Sequence, residues 1–372
     1  MANSVQSMRI VFDVVKAARD NNNSFSDDDI QRMLQSIVAD ENTRNRYHNF
    51  SKGYYSEELF RRIYSLLPWV KLITPLGQEQ FPEESKVDMQ VPDFEIMYEA
   101  GNPNNIKKIF VEAKLVDGDK KTFELLKHTY NVLKKYEDNS KSPLVFAVFW
   151  RKQMIWTVNS IESFSEKSSS YKISFEDACK NDLSAIFGDY TYLFRKRPFR
   201  KTNFSNLENT QSNFFYKHEK YGNPIYEGLS LFGDEYDELC ALETPVLDCA
   251  FKFNEIESCR TNEFETELLE QLVDETYVYR LSSLMLGYLL KTYFYNNNDM
   301  YCREHVIVKS TFGIVDTVRK KIGGEKFYLL PHDIKPSINE LINIQFGNVP
   351  RIYKAFTDTS REDDLNILCS HD

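Results

Sequence analysis

Ile109-Phe110-Val111-Glu112-Ala113-Lys114, with Val91-Pro92-Asp93 upstream, is the stretch from which the rest of this chain is read. Residues two apart in a strand point to the same face. Glu112 and Lys114 therefore project together, and Val111 and Ala113 form an apolar face opposite them. Residues 88–98 alternate in the same manner, and a Gly/Asn/Pro turn at 101–105 predicts that the two runs form a hairpin. Asp93 is then expected beside Glu112 and Lys114, at the ends of adjacent strands. The competing reading is a surface salt-bridge cluster, which a Glu-x-Lys strand alone would favour.

Upstream, Ser56 is predicted to cap a helix that runs to Leu67 and stops at Pro68. Glu57 shares a face with Phe60 and Tyr64, at i+3 and i+7, and so points inward. Glu58 shares its face with Arg62 and is expected in solvent. An inward carboxylate needs a partner, and a metal site would be one, so Glu57 is preferred as an auxiliary acid. Strands are predicted at 69–74, 144–150 and 154–158, the last two across the Arg151-Lys152-Gln153 turn, and a helix at 123–136. The order of elements describes an α/β unit, a mixed sheet with helices on both faces.

Hydrolysis of a phosphodiester requires charge neutralisation, an activated water and a stabilised leaving oxygen, and a divalent metal on carboxylates can supply all three. Mg²⁺ favours one or two carboxylates and keeps several waters. Asp93 and Glu112 are the expected ligands, with Glu57 and the backbone carbonyl of Ala113 as further donors. Mn²⁺ is expected to substitute for Mg²⁺. Lys114 would orient the attacking water or stabilise phosphate charge. It would act as a base only with a lowered pKa.

Pro92-Asp93, nineteen residues before Glu112-Ala113-Lys114, resembles the signature of the PD-(D/E)xK nuclease superfamily. The stretch Lys52-Gly53-Tyr54-Tyr55-Ser56-Glu57, followed by Phe60 and Ile63, is similar to the first helix of archaeal Holliday-junction resolvases in that superfamily. The resemblance covers residues 51–160. It implies a restriction-endonuclease-like core, Mg²⁺ dependence, and cleavage of DNA or sometimes RNA that leaves a 5′-phosphate. By residue, it implies metal ligation at Asp93 and Glu112, Lys114 at the attacking water, and Glu57 as the auxiliary acid. The chain departs from the resolvases in its C-terminal half, so junction specificity does not carry over.

The full chain has 372 residues and a net charge of −10, which argues against a protein coated with nucleic acid. Residues 51–160 hold 16 Lys/Arg against 15 Asp/Glu, so the acidity lies elsewhere. No apolar run has the length of a membrane span, and the first residues lack a basic region followed by an apolar core. The six cysteines are scattered. Cys302-Arg303-Glu304-His305 resembles half a zinc site with no second half. A reducing, cytoplasmic location is expected.

Residues 1–50 are predicted as a helical appendage: one helix at 8–18, and a second capped by Ser26 or Asp27 with Ile30, Met33, Leu34 and Ile37 on one face. Residues 51–165 would form the nuclease core, and 166–372 a C-terminal α+β domain for targeting, regulation or dimerisation. Within the latter, 263–295 is predicted helical through Leu268, Leu269, Leu272, Leu281, Leu284 and Leu289. That leucine face is the expected site of any homodimer, although core packing is the favoured reading. Strands are expected at 305–309 and 326–330, and a helix at 333–344. Candidate phosphate contacts are Lys120, Lys121, Lys127 and Arg151 near the site, and Arg195, Lys196, Arg197 and Arg200 in an aromatic, basic run.

The resulting expectation is a metal-dependent endonuclease acting on nucleic acid, DNA before RNA. Composition would suit a bacterial defence or mobile-element protein. The alternatives are a catalytically silent nucleic-acid-binding scaffold, or an effector whose C-terminal domain senses a ligand or partner.

Overall fold

The computed structural model describes residues 4–289, with interruptions at 21–24, 68, 78–79, 81, 83–84, 100–105, 190, 195–196, 215, 242, 274–276 and 279–280, and then Lys321 and Gly324–Phe327. Four helices open the chain: α1 (Ser4–Asp20), α2 (Asp27–Ile37), α3 (Glu41–Asn45) and α4 (Tyr47–Tyr64). Ser26 caps α2, accepting from Asp29 N–H while the Asp29 carboxylate accepts from Ser26 N–H. Met8, Val11 and Val15 of α1 pack on Leu34 and Val38, so the appendage has its own small core.

The central sheet is built from β1 (Val70–Pro75), β2 (Phe94–Glu99), β3 (Ile106–Val116), β5 (Leu144–Trp150) and β6 (Ile155–Ser160), in the order β1-β2-β3-β5-β6. A four-residue helix, α5 (Ser85–Asp88), precedes β2; β4 (Thr122–Leu126) and α6 (Lys127–Ser140) lie between β3 and β5. The β3–β5 pair is parallel and the other pairs are antiparallel. Parallel neighbours need a long crossover, which α6 supplies. All seven residues of β5 are buried, as expected of a central strand covered on both faces. One face packs Phe60 and Ile63 of α4 on Val111, Ala113, Ala147 and Val158. The other packs Leu133 of α6 on Phe110, Phe146 and Val148. This is the mixed α/β layering read from the sequence.

Beyond β6 come β7 (Ser165–Glu166), β8 (Ser170–Ser174), α7 (Phe175–Lys180), β9 (Thr191–Phe194), β10 (Phe199–Ser205), β11 (Asn223–Ser230) and β12 (Asp237–Glu238). They are followed by α8 (Glu243–Ala250), β13 (Phe253–Arg260), β14 (Glu265–Leu272), β15 (Tyr277–Val278), α9 (Leu281–Leu289) and β16 (Gly324–Phe327). A second five-stranded sheet has the order β12-β11-β10-β14-β13, and two three-stranded sheets have the orders β15-β9-β16 and β4-β8-β7. Met285 and Leu286 of α9 are buried in the same core as Ile63. Gly287 permits that approach, since a Cβ there would stand 3.3 Å from Ile63 Cδ1. Among the described residues no helix is long and apolar enough to cross a membrane.

Four expectations are corrected. Ser56 is not an N-cap: α4 begins at Tyr47, and Ser56 Oγ donates to Gly53 O, 2.6 Å away, in mid-helix. The helix extends upstream because Phe50 and Tyr54 continue its aromatic stripe, their rings packed together at a tilt and Tyr54 packed on Phe12. Residues 122–126 form a strand and not the start of a helix, with Phe123 and Leu125 directed together into the core. The predicted helix at 263–295 divides into β14, β15 and α9. Leu268 and Leu272, four apart, satisfy a helical stripe and a two-residue alternation equally, and flanking β10 and β13 select the strand. Lastly, Glu58 is not solvated: its side chain is 14% exposed and bridges three cations.

The segment containing Cys302 and His305, the expected strand at 305–309, most of that at 326–330 and the helix at 333–344 lie outside the described residues.

Candidate active site

Strand register builds the site. Phe94 pairs with Val111 across β2 and β3, which brings Asp93, the residue before β2, to the level of Glu112. Asp93 Oδ2 accepts the Ala113 N–H at 2.8 Å, fixing the carboxylate to the β3 backbone. Lys114 Nζ lies 2.6 Å from Glu112 Oε1 and 3.7 Å from Asp93 Oδ2. The three side chains thus converge. Asp93 and Glu112 are buried at 5% and 1% exposure, whereas the Lys114 side chain keeps 31%.

Glu57 is brought to this group by α4. It lines a cleft of about 220 Å³ together with Asp93, Tyr54 and Phe94. Burial first, and then the charge of Asp93, push its pKa above the ordinary carboxylate range, and Lys114 pulls it the other way. The same order of causes raises Glu112. For Lys114, burial acts to lower the pKa, but Glu112 and Asp93 outweigh it and hold the group above the ordinary lysine range. Lys114 is therefore an ammonium, and the acids around it are crowded. On the outer side of α4, burial alone would raise Glu58, but hydrogen bonds from Arg61, Lys16 and Arg62 bring it down to about 2.

Crowded acids have a cost that can be measured. Glu57 holds its proton more tightly in the folded chain than at its ordinary 4.5. Stability is then lost as pH rises from the unfolded value through the folded one, because the native state binds more protons in that window. Glu57→Gln removes the loss. The expected result is a higher melting temperature than wild type at pH 8 and none of that gain at pH 4. A gain equal at both pH values would contradict the assigned burial of an ionised Glu57.

The donors present fit a hard divalent cation. Glu112 Oε2 is buried with no hydrogen-bond partner, an orphaned oxygen of the kind that a metal would satisfy. Among the described residues no three His, Cys, Asp or Glu form a ready cage. Two carboxylates with waters completing the shell is the arrangement that Mg²⁺ prefers.

The other candidates are placed variously. Lys120 and Lys121 are exposed before β4. Lys127 bonds Glu166 at 2.6 Å. Arg151 and Lys52 share Asp117, at 3.2 and 3.0 Å. Arg200 is held by Glu270 of β14 at 2.7 Å and Asp248 of α8 at 2.5 Å, with its side chain only 12% exposed, so its charge is occupied. Arg197 is exposed, and Arg195 and Lys196 lie outside the described residues.

Sequence reading missed the contribution of α1. Arg9, Phe12, Asp13 and Lys16 form the opposite wall of the cleft. Their spacing of i, i+3, i+4 and i+7 is itself one helical face, and that mixed aromatic and charged stripe was the available signal. Phe12 packs on Tyr54, Arg9 stands over the Tyr54 ring, and Lys16 bridges to Glu58 at 2.8 Å.

No family model matches the sequence, and no curated protein matches it. Among solved structures, Hjc, a Holliday junction resolvase from Archaeoglobus fulgidus, is similar over 37% of this chain and 96% of its own, at 14% sequence identity and a TM-score of 0.28.

Proposed function

We propose that this protein is a metal-dependent endonuclease that hydrolyses phosphodiester bonds in nucleic acid, with DNA the preferred substrate, on a restriction-endonuclease-like core. The observation that carries the proposal is the convergence of Asp93, Glu112 and Lys114 in a buried group, 2.6 and 3.7 Å from the Lys114 ammonium to the two carboxylates. A surface salt-bridge cluster would leave its acids in water, whereas these two are buried and raise the pKa of their neighbours.

Asp93 and Glu112 would hold Mg²⁺, with the Ala113 carbonyl and Glu57 as auxiliary donors. When bound, the metal would neutralise phosphate charge and lower the pKa of a water. The chain's own residues do the rest. The Ala113 N–H holds the Asp93 carboxylate in place. Lys114, kept protonated by its two acids, donates to the water or to the phosphate and does not act as a base. Glu57 adds a carboxylate that takes up or releases a proton more readily near neutral pH than an ordinary glutamate. The region from 166 onward would select the target or join two copies.

Supercoiled, linear, branched and single-stranded DNA, and RNA, incubated with the pure protein and Mg²⁺ or Mn²⁺, test the proposal. Cleavage of at least one DNA substrate, stopped by EDTA and restored by excess metal, is the expected result. Intact substrates across the whole set at every metal concentration would reject it.

A further inference from the structure

A second cavity, of about 740 Å³, lies beside the cleft, between the appendage, α4 and the ends of β3 and β5. Its charge is opposite to that of the whole chain. Lys16, Arg44, Lys52, Arg62 and Arg151 line it, against the carboxylates of Asp27 and Glu58, in a chain of net charge −10. Rings line it as well: Phe12, Tyr47, Tyr55 and Phe149. Cations and aromatic rings around one partly open cavity are the two features that recognise a phosphate and a base. The volume falls within the range of small-molecule pockets, roughly 300–1,000 Å³.

Two of the cations are held in a way that leaves them exchangeable. Lys52 and Arg151 come from different elements and share the single carboxylate of Asp117, at 3.0 and 3.2 Å, with side chains 37% and 53% exposed. Half-exposed pairs of this kind are weak. A phosphate brings more charge and more acceptor oxygens than Asp117 offers to either partner. Lys16 and Arg62 are held more firmly, at 2.8 and 2.9 Å from the largely buried carboxylate of Glu58.

We propose that this cavity binds a nucleotide, with the base among the Tyr47 and Tyr55 rings and the phosphate at Lys52 and Arg151. Two sources share that chemistry: a free nucleotide, and the phosphorylated end of a nucleic-acid strand. Position gives the site a consequence in either case. Phe12, Lys16 and Glu58 line both this cavity and the cleft of Glu57 and Asp93, and Leu115 of the cavity wall follows Lys114. A ligand in the cavity would therefore press on a wall that the cleft shares.

Calorimetric titration of the full chain in EDTA tests the site independently of any cleavage. The probes are ATP, AMP, inorganic phosphate, and a single-stranded DNA 10-mer with and without a 5′-phosphate. Saturable binding of a nucleotide, or of the phosphorylated 10-mer in preference to the unphosphorylated one, is expected. Arg151→Glu and Tyr55→Ala should each weaken it by about tenfold or more. Arg151 and Tyr55 are both exposed, so the variants should melt close to wild type, and Arg151→Glu carries the test if Tyr55→Ala does not fold. Binding of ATP or AMP identifies a free nucleotide as the source; binding confined to the phosphorylated strand identifies a strand end. No binding of any probe, phosphate binding as tightly as ATP, or affinity unchanged by the variants would each overturn the assignment.

Discussion

Asp93→Asn and Lys114→Met should each slow nucleic-acid cleavage by about 10²–10³-fold, the usual loss when one preorganised charge is taken from a reacting centre. Both substitutions preserve shape. Asparagine keeps an oxygen for the Ala113 N–H that holds residue 93 to β3. Methionine keeps most of the lysine stem. Charge is removed, together with the hydrogen bonds that the Lys114 ammonium donates, while shape is kept, so substrate affinity measured in EDTA should remain within a few-fold of wild type. Asp93→Asn carries an internal control against unfolding. The Asp93 charge raises the pKa of Glu57 and Glu112, so its loss relieves crowding, and the variant should melt at or above the wild-type temperature at pH 8. Initial rates at saturating Mg²⁺ decide the matter. A rate above one-tenth of wild type in either variant would remove that residue from the chemistry.

Phe60→Ala is expected to produce the largest loss of stability, about 3–5 kcal/mol. Phe60 is fully buried, with ring centroids 4.1 Å from Tyr64, 5.3 Å from Trp156 and 5.6 Å from Phe94. Three rings anchored on α4, β2 and β6 cannot all close on an alanine, so a cavity remains. Two of the elements involved also position the site: Glu57 lies one turn before Phe60, and Asp93 precedes Phe94. Urea denaturation with an unchanged m-value would show the loss as a shifted midpoint. Ile256→Ala, on an exposed residue of β13, should stay within about 0.5 kcal/mol of wild type. A Phe60→Ala loss below about 1 kcal/mol would contradict the packing described.

The parts of the fold that could be read from sequence are those whose partners are close in the chain. The β2–β3 hairpin, the β5–β6 pair and the inner face of α4 each fall within a window short enough for periodicity to speak. β14 has one such partner, β13, but its other edge is closed by the distant β10, where Arg200 pairs with Glu270, and Leu268 and Leu272 satisfy two periods equally until both neighbours are in place. The start of α4 failed for a related reason, since α1 offers Phe12 for Tyr54 to pack against and the appendage core receives Phe50. In the candidate site, Asp93, Glu112 and Lys114 were legible because strand alternation places them. Arg9 and Lys16 were not, because a charged helical face looks the same whether it meets water or the wall of a cleft.

The hydrogen bond from Ala113 N–H to Asp93 makes the proposed chemistry a gauge of strand alignment. Asp93 meets Glu112 and Lys114 only when Phe94 faces Val111. A slip of one residue would send every side chain of β2 to the wrong face, and it would separate the two acids in the same event. A misaligned molecule would then be silent rather than slow. Specific activity in a refolding mixture would count the correctly threaded molecules, with no graded contribution from the rest.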